Sequence, residues 1–222
     1  KLSLGLIGVA AAIWGLAGGV SSWLMKHGWN PFVLTFYAAL FGLICTLAWL
    51  TLQPRGGGMR QFQLWIWSII AGVGFAGNVA FYFFSIQQSN VAIAVTLIYS
   101  APVFVYLVSF ALGLERPNTV KAIGVLLVIL GLVLLTGLYR PYSHHVTFIG
   151  VIAGLLSGLF YALFIFALKN TTAQGSPPAI LSIAFAIMCT LLAAASGPMM
   201  LVEAFGNAHI WLVCLLGVFG LG

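Results

Sequence analysis

Apolar stretches long enough to cross a bilayer recur along this chain, and nothing else in it restricts the fold so severely. A hydrocarbon core about 30 Å thick takes roughly 20 mostly apolar residues per helix. That template fits 4–25, 31–52, 63–86, 91–113, 119–139, 147–168 and 178–197, and another run opens near Ile210. The breaks between them are Asn30-Pro31, Gln53-Pro54 with Gly56-Gly57-Gly58, Arg116-Pro117, Arg140-Pro141 and Pro177-Pro178. Proline lacks an N–H and fixes φ, so it stops one helix or starts the next. Lipid offers no partner to a free peptide group, so each run is expected to be a helix. The fold class that follows is an all-α integral membrane protein, a polytopic helical bundle of seven full helices plus part of an eighth.

Composition excludes the soluble alternatives. Of 222 residues, 63% are hydrophobic and 5% charged, against about 25% charged in a soluble domain. The formal net charge is +6, but the basic residues lie singly along the chain and form no patch. Nucleic acid is therefore not an expected partner, and the lipid bilayer is. Cys45, Cys189 and Cys214 each sit in an apolar run, where a small soft side chain packs well and no disulfide partner is evident. The first run continues through Trp14 and Trp23 without a small-residue cleavage site, so it reads as a retained helix.

Short connections make successive helices antiparallel, so loops alternate between the two sides of the membrane. Lys1, Arg55, Arg60, Arg116, Lys121 and Lys169 then share one side, and Lys26 and Arg140 the other. Basic residues are retained on the cytoplasmic side, which predicts a multi-pass protein of the cell (inner) membrane with a cytoplasmic N-terminus. The final run, 210–222, would reach only about 20 Å at 1.5 Å per residue. The chain is accordingly expected to be part of a longer protein.

A weak internal repeat is present. Ile13-Trp14-Gly15-Leu16 aligns with Phe160-Tyr161-Ala162-Leu163, and Gly72-Val73 with Gly217-Val218. The first copy holds five helices, an odd number, so the second copy enters from the opposite side and the topology is inverted. Ten helices are expected in the whole.

Three stretches resemble the drug/metabolite transporter superfamily, and within it the EamA-type transporters. They are Ile13-Trp14-Gly15; Ser89 through Glu115-Arg116-Pro117, containing Tyr99-Ser100-Ala101-Pro102-Val103-Phe104; and Gly150 through Lys169, containing Tyr161-Ala162-Leu163-Phe164. Gly124, Gly131 and Gly137 supply the glycine-containing fifth helix of that pattern. The family usually has Trp where this chain has Tyr161, so an aromatic is kept and a hydroxyl added. The resemblance implies two EamA-type repeats, 1–140 with helices one to five and 141–222 as an incomplete second copy. It further implies a secondary transporter working by alternating access through an aromatic-lined central cavity. Known members move amino acids, other small metabolites, quaternary ammonium compounds or drugs. Small metabolites such as amino acids, by export or exchange, are the leading expectation. Choline-like quaternary ammonium compounds or drugs are the alternative, and a non-transporting membrane subunit is a second one.

Each candidate cavity-lining residue has an alternative role in ordinary packing. Trp14 lies mid-helix, not at headgroup depth, and offers an N–H and a flat wall to a cavity or to the core. Tyr161, its repeat mate, has the same two readings. Asn78, Tyr82 and Ser85 share one face of the third helix, where polar groups either line a path or bond neighbouring helices. Thr96, Tyr99 and Pro102 share a face of the fourth, and Pro102 predicts a kink that frees a backbone carbonyl. Glu115 and Glu203 fall at a helix exit and in a loop, where structural or interfacial roles are expected. His27, His144, His145 and His209 fall in loops without metal-ligand spacing, so no metal and no cofactor are expected. No convergent nucleophile, acid and base are visible, so the chain does not read as an enzyme. No Asp, Glu, Lys or Arg lies at mid-membrane in a complete helix, which predicts a facilitator or exchanger rather than simple proton coupling. The expected partner is a small-molecule substrate, and the expected assembly a monomer or homodimer.

Overall fold

The computed structural model describes residues 2–52, 61–89, 91–111, 113, 118–136, 147–171, 175–206 and 209–217. All elements among them are helices: α1 (Leu2–Lys26), α2 (Pro31–Leu52), α3 (Phe62–Gln88), α4 (Val91–Ile98), α5 (Ala101–Ala111), α6 (Thr119–Thr136), α7 (Phe148–Thr171), α8 (Pro177–Ser196), α9 (Pro198–Phe205) and α10 (Ile210–Leu216). By length and hydropathy, Pro31–Leu52, Phe62–Gln88, Val91–Phe110, Phe148–Thr171 and Pro177–Ser196 are each able to cross a membrane. The expected breaks hold at Pro31 and at Pro177-Pro178, where each proline opens a helix whose first N–H groups have no intrahelical partner anyway. The Glu115-Arg116-Pro117 exit and the His144-His145 pair lie outside the described residues, as does the side chain of Trp14.

The fourth span, Val91–Phe110, is interrupted at Tyr99-Ser100, just before Pro102, into α4 and α5. Pro102 cannot donate to the carbonyl four residues earlier and crowds it, so the interruption falls upstream of the proline itself. The segment after α8, expected as loop, forms α9, and Glu203 lies on that helix. Gly197 makes the corner with φ +78, a backbone region open to glycine, and Pro198 then starts the helix.

Packing groups the chain into two compact units, Lys1–Gly72 with Thr171–Gly222, and Val73–Asn170. In the first, α2 lies along α8. A methyl on Gly42 would sit 3.2 Å from the Phe185 ring, and one on Gly72 2.6 Å from the Ala184 carbonyl, so glycine lets both neighbours close on α8. The Tyr37 hydroxyl donates to the Leu201 carbonyl. Helix α2 thus meets α8 at Gly42 and Phe185, and α9 at Tyr37 and Leu201. Leu24, Trp29, Val33, Leu34, Tyr37, Ala38 and Val213 form the buried cluster joining α1, α2 and α10.

In the second unit the later part of α3 packs against α7, and Ile93, Leu97 and Val151 form a buried cluster with Leu132 and Leu155 packed on it. Helix α6 turns Val120, Ile123, Leu126, Leu127, Leu130 and Leu134 outward. An apolar exterior of that kind is stable where lipid, not water, surrounds the chain.

Candidate functional site

The α3–α7 contact is an antiparallel ladder held at three levels. The Thr147 hydroxyl donates to the Gln88 carbonyl at 2.7 Å, the Ser85 hydroxyl to the Gly150 carbonyl at 2.7 Å, and Asn78 Nδ2 to Ser157 Oγ at 2.9 Å. The Ser157 hydroxyl returns a bond to the Asn78 carbonyl at 3.1 Å. Steps of three and seven residues down α3 are matched by the same steps up α7, so the two helices keep one register throughout. Asn78 is 7% exposed and Ser85 and Ser157 are fully buried. Of the two roles open to Asn78 and Ser85, these bonds are the interhelical one.

Glycine lets α3 close on α7 and α7 close on the α4–α5 segment. Gly150, Gly154 and Gly158 recur every fourth residue on α7, where Gly154 and Gly158 meet Leu97 and Ser100, while Gly74 and Gly77 on α3 meet Phe164 and Phe160. A methyl on Gly74 would lie 2.9 Å from the Phe164 amide nitrogen, and one on Gly158 2.6 Å from Ser100 Oγ and 3.0 Å from the Leu97 carbonyl. The small-xxx-small stripe is a direct sequence signal for close helix approach.

Gly158 also seats the interruption between α4 and α5. Ser100 is buried and donates to the Leu97 carbonyl at 2.6 Å, while the Val103 amide donates to the Ser100 carbonyl at 2.9 Å. The turn is thus satisfied internally and rests on the bare backbone of α7. Tyr99, on that turn, is 66% exposed. Tyr99 lies within electrostatic range of the hydroxyls of both Tyr82, on α3, and Tyr161, on α7. Tyr82 and Tyr161, from two other helices, are thus each within electrostatic range of the turn that carries Tyr99. Around Tyr161, Phe164 stacks with its centroid 6.0 Å away, and Phe75 stacks on Phe164 at 4.9 Å.

Thr96, on α4, is half-buried and donates to the Ala92 carbonyl within its own helix at 2.8 Å. Pro102 is the second residue of α5 and lines an apolar crevice of about 540 Å³ with Tyr106, Ser109 and Lys121 among its walls. Chemically, the tyrosine group offers hydroxyls able to donate or accept and ring faces able to hold an apolar or cationic moiety. No cluster of three or more His, Cys, Asp or Glu side chains suited to a metal occurs among the described residues.

The comparisons with known proteins agree with this architecture. A crystal structure of a protein matches with a TM-score of 0.64 at 21% identity, covering 100% of this chain and 76% of that one, which supports the fold. An uncharacterized transporter of Archaeoglobus fulgidus is 31% identical over 162 residues, 73% of this chain and 55% of the relative. The chain thus spans about half the length of that relative. Residues 2–137 match the EamA-like transporter family. The chain is a multi-pass, all-α membrane protein that belongs to the EamA-like transporter family, within the drug/metabolite transporter superfamily.

Proposed function

We propose that this chain works in a secondary transporter that moves small metabolites, amino acids or related solutes, by export or exchange through an aromatic-lined cavity. The observation that carries the reading is the interruption between α4 and α5, with the exposed Tyr99 on it and within electrostatic range of Tyr82 and Tyr161. Transporters commonly place substrate at a discontinuous helix, where backbone groups are freed for ligands and neighbouring segments can rearrange. Family membership supports the transport class. Alternating access between two inverted five-helix repeats, in a cell membrane with the N-terminus cytoplasmic, completes the proposal, and the six-to-two distribution of Lys and Arg supports that orientation.

The same aromatic group favours one second reading, a quaternary ammonium substrate held by ring faces. Substrate counterflow by the whole protein in liposomes tests the proposal. Exchange of an amino acid that continues without an imposed pH gradient is expected, because no charged residue lies in the middle of the spans. Strict dependence on that gradient would exclude the exchanger, and absence of any solute flux would exclude transport. Competition by choline but not by amino acids would select the second reading.

A further inference from the structure

Glu203, one of only two acidic side chains in the chain, is exposed and borders an open recess. It lines a cavity of about 430 Å³ with His27, Gly28, Trp29, Asn30, Val33, Met200 and Ala204. Every wall belongs to the first compact unit: the end of α1, the start of α2, and α9. The placement depends on α9, since a loop at 198–205 would not carry Glu203 back to the α1–α2 corner. That corner is itself built tightly, with Gly28 at φ +89 and the Trp29 amide donating to the Leu24 carbonyl at 3.2 Å.

His27 Nδ1 donates to the Trp23 carbonyl at 2.9 Å. The ring is held against Trp23, centroids 3.9 Å apart, and Trp23 in turn meets His209 at 5.4 Å. Glu203 adds a carboxylate. Trp29, 6% exposed, supplies an indole wall. The N-terminus of α2 would favour an anion, but Asn30 Oδ1 already accepts from the Phe32 amide at 2.9 Å and caps it. The other end of the Asn30 amide rests on the Met200 sulfur at 3.7 Å.

We propose that this recess binds a primary ammonium group, received by the Glu203 carboxylate with its carbon chain against Trp29. One indole beside a carboxylate suits three N–H donors better than a methylated cation, which needs ring faces on most sides. The ammonium can come from a free amine solute or from an ethanolamine lipid headgroup, because the recess lies at helix ends and not at mid-span. The site is separate from the tyrosine group and does not depend on the chain's carrying a solute.

The test uses the whole protein in nanodiscs of phosphatidylglycerol and phosphatidylcholine, with ethylammonium as probe and indole fluorescence as readout. Saturable ethylammonium binding is expected, at least tenfold weaker in Glu203→Gln and restored to within about threefold in Glu203→Asp, which keeps the carboxylate. Tetramethylammonium and ethanol should each bind at least tenfold more weakly than ethylammonium. Adding phosphatidylethanolamine to the nanodiscs identifies the source: reduced ethylammonium affinity assigns the recess to the headgroup, and unchanged affinity to a free amine. Equal ethylammonium binding by wild type and Glu203→Gln, or equal binding of ethanol, overturns the proposal. Loss of counterflow with intact ethylammonium binding would fail the transport reading alone.

Discussion

Asn78 and Ser157 bind each other in both directions across α3 and α7: the amide donates to the serine hydroxyl at 2.9 Å and the hydroxyl donates to the Asn78 carbonyl at 3.1 Å. A reciprocal pair buried in an apolar bundle cannot trade its partners for water, so it locks the register of the two helices. Each side chain also has a main-chain partner on the other helix: Asn78 Nδ2 donates to the Ser157 main-chain carbonyl at 3.1 Å, and the Ser157 hydroxyl to the Asn78 main-chain carbonyl, so truncation of one costs the other only the bond between the two side chains.

That relationship predicts energetic coupling. Asn78→Ala and Ser157→Ala are each expected to lower stability by about 1 kcal/mol, with the double mutant losing less than both together. Reversible unfolding of the protein in mild detergent, arranged as a double-mutant cycle, measures the coupling. Strictly additive losses would mean that the two side chains act independently.

Glycine at the α4–α5 seat should be intolerant of size. Gly158→Val is expected to cost about 1–3 kcal/mol by overpacking against Ser100 and Leu97. Gly131→Ala, on α6 with nothing within 4 Å of the added methyl, should be neutral or slightly stabilising. Thermal midpoints of the two variants, compared in one detergent, decide it; equal midpoints would contradict the close approach.

If the tyrosine group receives substrate, Tyr99→Ala should reduce counterflow about tenfold or more while the thermal midpoint moves little, since Tyr99 is largely exposed. Tyr99→Phe separates ring from hydroxyl: retained flux assigns the ring face, and a matching loss assigns the hydroxyl. Full activity of Tyr99→Ala would remove this residue from the cavity.

Trp14 belongs to α1, a helix of 25 residues. Trp14→Ala is expected to reduce flux by about tenfold without reducing membrane insertion, as loss of an aromatic wall would. Normal flux from correctly inserted protein would assign Trp14 to packing.

Stability in the bilayer should not depend on a disulfide. Cys45, Cys189 and Cys214 are free thiols. Reductant is expected to leave the thermal midpoint unchanged, and a downward shift on reduction would reveal an intermolecular bridge.

Much was legible in the residues alone, for a physical reason: a bilayer imposes one period and one length on every span. Runs of apolar residues ended by Pro31, Pro177 and Pro178 announced helices without reference to what they pack against. The resemblance around Ile13-Trp14-Gly15 and Tyr99 to Phe104 likewise needed no coordinates. Tertiary structure decided what those helices do to one another. Hydropathy is blind to direction, so it placed Asn78 and Ser85 on a polar face without saying that α7 would occupy their donors. Pro102 signalled a disturbed helix, but only the packing showed Ser100 seated on Gly158 and Tyr99 left exposed on the turn. Glu203 read as a loop carboxylate until Gly197 and Pro198 turned its segment into a helix that returns it to His27 and Trp29. Local rules govern where a chain in lipid becomes helical, whereas contacts between residues 79 apart, such as Asn78 and Ser157, arise only when the whole bundle closes.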